Sequence, residues 1–254
     1  MECYTETKAR VAMNQTKEQM CVLNYEDERL QQVAKNMSAD VFWFSSAREL
    51  ERGIFLRGEE IVCRDGEEIT LCNIHDLKLL GMHNYENVMA AAAIAHGMNV
   101  PWDVIRKVVC EFQAVPHRIE FVKEVNGVKY YNDSKGTNPD AAIKAVEAMV
   151  CPTIVIGGGY DKEAVYDEWI ASFGTKVKSL VLLGQTADKI AEAAAKAGFT
   201  AVTKVDSLEE AVAECARQAQ DGDAVLLSPA CASWGMFKNF EERGDLFKEY
   251  VKKL

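Results

Sequence analysis

The side chains best equipped for chemistry fall in one short run, Asn132-Asp133-Ser134-Lys135-Gly136-Thr137-Asn138. A carboxylate, an ammonium and two hydroxyls lie side by side there, straight after a strand-like stretch and straight before a helix-like one. Asn138 suits an N-cap and Pro139 a first helical turn, and Ala142, Ile143, Val146 and Met149 follow at helical spacing. A strand that hands Asp, Ser, Lys and Thr to the positive end of a helix makes a ready anion site. The same residues also read as a simple cap with a solvated lysine, and at this level both readings stay open. Upstream, Asn126-Gly127 separates two alternating runs, and a type I′ turn needs positive φ at both central residues, so a hairpin is predicted.

The elements that must position this cluster follow a regular plan. Thr153–Ile156, Leu180–Leu183, Val202–Val205 and Ala224–Leu227 read as strands, separated by helix-like Asp188–Lys196 and Leu208–Gln218 and followed by Phe237–Lys252. Alternating strands and helices predict an α/β fold with a mainly parallel sheet covered on both faces. Ligands bind beyond the carboxyl ends of such strands. Those ends carry Asp133, Lys135 and Thr137, then Asp161 and Lys162, then Ser228 and Ser233, which together predict one polar rim. Gly157-Gly158-Gly159 reads equally as a ligand contact or as a tight turn. Before the hairpin, the sequence predicts a helix over Met1–Gln15, a strand at Met20–Asn24, a helix over Glu26–Asn36 and a strand at Val41–Phe44. Two strand-like runs within Gly53–Leu71, turned at Arg64-Asp65-Gly66, precede helices His83–His96 and Trp102–Phe112. A domain boundary is expected at Ala114–Pro116.

Composition narrows the class. The chain has 254 residues, 48% of them hydrophobic and 27% charged, as in ordinary soluble globular proteins. A formal net charge of −10 argues against a general nucleic-acid binder. No apolar run is long enough to span a bilayer. The eight cysteines are scattered with no C-x-x-C pair, so reduced thiols are expected rather than disulfides or zinc. No G-x-x-x-x-G-K-[ST] phosphate loop occurs. The residues alone lead to an α/β protein with an anion-binding rim, read as a metabolic enzyme.

Four blocks carry the reading further. They are Leu80-Gly-Met-His83-Asn84-Tyr-Glu-Asn87, Pro116-His117-Arg118, Asn132 to Asn138, and Leu227-Ser-Pro-Ala-Cys-Ala-Ser233-Trp234 running on through Phe237-Lys-Asn-Phe240-Glu-Glu-Arg243-Gly244. Together they resemble the ATP-dependent muramyl ligases. The last two blocks resemble most closely the members that add D-glutamate to UDP-N-acetylmuramoyl-L-alanine in peptidoglycan synthesis. The resemblance implies a fragment: 1–115 as the C-terminal part of a central mononucleotide-binding α/β domain, and 116–254 as a Rossmann-like amino-acid-binding domain. The UDP-binding domain, the phosphate loop and the magnesium-binding glutamate are expected to be missing. Catalysis by this chain alone is therefore not expected, and the missing N-terminal half becomes an expected partner.

In that family, as the resemblance has it, ATP phosphorylates the substrate's terminal carboxylate and the amine of D-glutamate attacks the acyl phosphate. The cofactors implied are ATP and Mg2+, and the parent is expected to be a cytoplasmic bacterial protein. By motif position Lys8 matches a carbamylated lysine that helps organise magnesium, and Lys135 falls near the phosphates. Asn87, Arg118 and Asp133 match nucleotide contacts. Thr137, Lys162, Ser233, Trp234 and Phe240 match the D-glutamate pocket, where Trp234 would act mainly through its backbone. The alternatives are a sibling ligase for another amino acid and a module that binds nucleotide or amino acid without chemistry.

Overall fold

A computed structural model describes residues 2–254, with side chains from Thr5 onward, and the chain separates into two units, Met1–Gln113 and Ala114–Leu254. In the first, α1 (Glu2–Ala9) tightens into a 3-10 turn at Arg10–Ala12, so the predicted first helix stops short of Gln15. The Asn14 and Thr16 that follow are weak helix formers. Met1, the start of that prediction, lies outside the described residues. Strand β1 (Met20–Asn24) is followed by α2 (Glu28–Ala34), which begins later than expected because the Asp27 carboxylate caps it, accepting from the Arg29 N–H at 2.9 Å. Then come β2 (Asp40–Ser45), β3 (Gly53–Arg57), β4 (Glu60–Asp65) and β5 (Glu67–Asn73).

These strands form one sheet in the order β1-β2-β3-β4-β5, parallel across β1–β3 and antiparallel beyond. The two runs predicted within Gly53–Leu71 are in fact three strands. A second reversal at Gly58, with φ at +60°, splits the first run in addition to the predicted turn at Gly66. The alanine-rich α3 (Met82–Gly97) buries Val88, Met89, Ala92 and Ala93 and packs on β1, β2 and β3. Helix α4 (Trp102–Glu111) lies against β5, where the Arg106 Nε donates to the Leu71 carbonyl at 2.6 Å.

The second unit begins with the predicted hairpin, β6 (Glu120–Val125) and β7 (Val128–Asn132). Asn126 and Gly127 both have positive φ, +50° and +77°. There follow α5 (Pro139–Ala148), β8 (Thr153–Gly157), a short α6 (Asp167–Ala171) absent from the sequence reading, β9 (Val177–Leu182) and α7 (Ala187–Lys196). Then come β10 (Val202–Lys204), α8 (Leu208–Gln218), β11 (Ala224–Leu227) and α9 (Phe240–Lys252). Helix α9 starts at Phe240 rather than Phe237 because Asn239 caps it, accepting from the Glu242 N–H at 2.8 Å.

The sheet order is β10-β9-β8-β11-β7-β6, parallel except for the β6 edge. Alternation along the strands feeds two cores. Val155, Leu180 and Leu182 join Tyr166, Trp169 and Phe173 on the face covered by α5, α6 and α7. Ile154, Ile156, Val181 and Leu227 join Val212, Phe247 and Val251 under α8 and α9. The chain runs outward from β8 to β10 and then returns to insert β11 between β8 and β7. That reversal opens a crevice at the carboxyl ends of β7, β11 and β8.

Candidate functional site

Three loops leave the sheet at this crevice and are sewn together by main chain. The Asp133 N–H donates to the Leu227 carbonyl at 2.7 Å, Ser228 N–H to Ile156 at 3.2 Å, and Gly158 N–H to Pro229 at 2.9 Å. Tyr160 and Ala232 form an antiparallel bridge through the Tyr160 N–H, at 2.9 Å. The glycines after β8 serve this close approach. A Cβ on Gly158 or Gly159, both at positive φ, would sit 2.2 Å from the Leu183 carbonyl oxygen or 2.4 Å from that of Ala232. Of the two readings the sequence left open for this run, these contacts support the tight turn.

Seven of the residues singled out by sequence stand on these loops or, for Phe240, at the first position of α9. Asp133 is buried, with its two oxygens taken by the Ser228 hydroxyl at 2.8 Å and the Ile119 N–H at 3.3 Å. Burial pushes its carboxyl up to about 7, against those two hydrogen bonds and the fields of Arg118 and Arg243. Lys135 is exposed and holds its ammonium 5.1 Å from the centre of the Phe240 ring. Phe240 in turn meets the edge of His117, centroids 5.9 Å apart. Thr137 is half-buried, its N–H donating to the Lys135 carbonyl at 2.8 Å, and Asn138 caps α5 as predicted, accepting from the Ala141 N–H at 2.9 Å. Ser233 is buried, whereas Lys162 and Trp234 are exposed, with the ammonium 4.6 Å from the indole centre. Arg118 is exposed on the loop before β6.

The other two candidates belong to the first unit. Asn87 is exposed on α3. Lys8, in the last turn of α1, lines a cavity of about 290 Å³ together with Asp27, Arg29, Leu30 and Val33. Among the described residues no three His, Cys, Asp or Glu side chains converge as metal ligands. No described helix is long and apolar enough to cross a membrane.

The residue that organises the rim lies within the Phe237–Gly244 motif, where its sequence position alone assigns it no role. Arg243 is buried, and its guanidinium donates to the Ser134 hydroxyl at 2.9 Å, the Ser134 carbonyl at 2.8 Å and the Cys231 carbonyl at 3.2 Å. The Ser134 hydroxyl in turn donates to the Phe240 carbonyl at 2.8 Å. One side chain thus ties the loop after β7, the loop after β11 and the start of α9. Burial lowers its basicity to about 10. The available signal was the arginine itself: a fixed fork of five donors beside Gly244, at the end of an otherwise amphipathic motif.

Gly244 explains why that arginine is followed by glycine and why Pro116-His117-Arg118 matters locally. An added Cβ would stand 2.2 Å from the His117 Nδ1 and 3.0 Å from the Asn132 Nδ2, and that amide itself donates to His117 at 3.0 Å. Gly244→Ala is expected to lower stability by about 1–3 kcal/mol through overpacking, read as a shifted urea midpoint.

The Mur ligase middle domain matches residues 1–95, and the Mur ligase glutamate ligase domain matches residues 117–231. The chain is 57% identical over 255 residues to the UDP-N-acetylmuramoylalanine--D-glutamate ligase of Lachnoclostridium phytofermentans, a match covering 100% of this chain and 56% of that protein. It is 54% identical over 255 residues to the ligase of the same description from Lachnospira eligens, covering 100% and 57%. The chain therefore spans about half the length of the curated relatives it matches. The crystal structure of the MurF ligase of Thermotoga maritima in complex with ADP shares the fold, with a TM-score of 0.62 at 16% identity over 98% of this chain and 57% of that one.

Proposed function

Since the chain belongs to the Mur ligase family, we propose that it supplies the amino-acid-binding unit and part of the nucleotide site of a ligase that adds D-glutamate to UDP-N-acetylmuramoyl-L-alanine. The observation that carries this reading is the rim after β7, β8 and β11, where the Lys135 ammonium lies over the half-buried Phe240 ring and the Lys162 ammonium over Trp234, the neighbour in sequence of buried Ser233. Lys162 and Ser233 take the carboxylates of D-glutamate, and Phe240 packs on its methylenes. Thr137 completes that pocket. Trp234 belongs to it as well. In the second unit Asp133 and Arg118 serve as nucleotide contacts, and in the first Asn87 does.

In the reaction, the γ-phosphoryl of ATP moves to the terminal carboxylate of the UDP-sugar-alanine, releasing ADP. The D-glutamate amine then attacks the acyl carbon, the amide bond forms and phosphate departs. Lys135 offsets phosphate charge as it transfers. Lys8, if carbamylated, would carry a carboxylate able to help hold magnesium, which would offset the charge of the phosphates. The setting is the bacterial cytoplasm, where the nucleotide substrates are found.

Titration of D-glutamate into the 254-residue chain tests the pocket. Saturable binding is expected, with L-lysine and diaminopimelate unable to compete. Lys162→Met is expected to weaken binding about 10- to 100-fold, the worth of a charge-assisted pair. Preference for L-lysine or diaminopimelate would instead mark a sibling ligase.

A further inference from the structure

We propose that Trp234, braced by Tyr160, is the positioning residue for Lys162, acting through its indole face rather than its main chain. The inference rests on the D-glutamate reading above. The Lys162 ammonium stands 4.6 Å from the indole centre, within cation–π range. Tyr160 meets the same indole edge-on, centroids 5.7 Å apart and planes at 62°, which limits rotation of the ring. Beneath the rings, the bridge between Tyr160 and Ala232 fixes the two loops at the backbone. The lysine and its platform therefore sit on one framework.

Two further observations favour a role for the indole. Trp234 is 53% exposed and Tyr160 is 40% exposed, so neither ring belongs to the core. Neither acidic neighbour in sequence, Asp161 or Glu163, pairs with Lys162 among the described residues: Glu163 makes no ion pair there, and Asp161 is already committed. Asp161 accepts from the Glu163 N–H at 2.8 Å and pairs with Lys189 at 3.1 Å. No ion pair to Lys162 occurs among the described residues. A lysine stem has several rotatable bonds, and an exposed ammonium without an anchor samples many directions. Laying it on a fixed indole restricts that freedom before an anionic ligand arrives, which strengthens binding through preorganisation.

The test combines a spectroscopic and a binding readout on the 254-residue chain. In the wild type, the Lys162 ε-methylene protons are expected upfield of ordinary lysine values because they lie over an aromatic face. Trp234→Leu is expected to return them to ordinary values and to weaken D-glutamate binding about 3- to 5-fold, the equivalent of an exposed cation–π contact. Trp234→Phe keeps a smaller ring and is expected to restore part of both effects. Because the indole is half in solvent, the thermal midpoint is expected to stay near that of the wild type. Ordinary Lys162 shifts in the wild type, or unchanged D-glutamate affinity in Trp234→Leu, would overturn the inference alone. A wild-type chain with the upfield shift intact that prefers another amino acid would overturn the D-glutamate reading, and the inference with it.

Discussion

Arg243→Met is expected to destabilise the second unit by about 2–4 kcal/mol, the largest loss for any single residue of the rim. Methionine keeps much of the apolar stem but cannot donate. Three buried acceptors then lose their partner: the Ser134 hydroxyl, the Ser134 carbonyl and the Cys231 carbonyl. Leaving a buried acceptor unsatisfied costs about 1–3 kcal/mol each. Against this stands relief of the cost of burying the guanidinium, which already lowers its basicity to about 10. Three acceptors outweigh one desolvated cation, so the net effect is loss. Lysine is expected to recover less than half, because a point ammonium cannot span both loops as the fork does. Urea unfolding with an unchanged slope checks this, and a midpoint within error of the wild type would remove Arg243 from its role as clamp. D-glutamate affinity is expected to fall in parallel, since Ser134 and Cys231 carry the loops that lead to Lys135 and Ser233.

Asp133→Asn is expected to act in the opposite direction on stability. Folded Asp133 keeps its proton up to about pH 7, whereas an unfolded aspartate releases it near 3.8. Between those values the folded chain binds more protons than the unfolded one, so stability falls as pH rises. The contribution of the protonated carboxyl is fully present below pH 3.8 and lost as pH passes through about 7. Charging a carboxyl moved that far costs about 4 kcal/mol. Asparagine never charges, so it is expected to be more stable than the wild type by up to about 4 kcal/mol at pH 8, with no advantage near pH 4. The gain is reduced to the extent that the carboxylate helps compensate Arg243, whose charge it faces. Urea midpoints across that pH range test the trend, and parallel wild-type and variant profiles would contradict it. On the proposed nucleotide role, the same substitution weakens nucleotide binding, which is stability held back for function.

These two residues divide what was legible in sequence from what was not. The strand-to-helix junction, the Asn126-Gly127 hairpin, the Asn138 cap and the alternating strands and helices of the second unit rest on signals spread over a few residues. Turn dihedrals, capping and hydrophobic periodicity are local properties, so the sequence by itself determined them, along with the polar rim that a parallel sheet implies. The extra strand after Gly58 and the five-residue α6 escaped because a single glycine or one helical turn leaves too short a pattern. Only tertiary structure decided the sheet order, with β11 returning between β8 and β7. That order brings Ser228 to Asp133 across 95 residues and Arg243 to Ser134 across 109. It therefore decides that one carboxyl is buried and keeps its proton to higher pH, and that one arginine is buried as a clamp. It also lays Lys162 on Trp234. Burial depends on what the rest of the chain packs over a residue, and no local pattern encodes that.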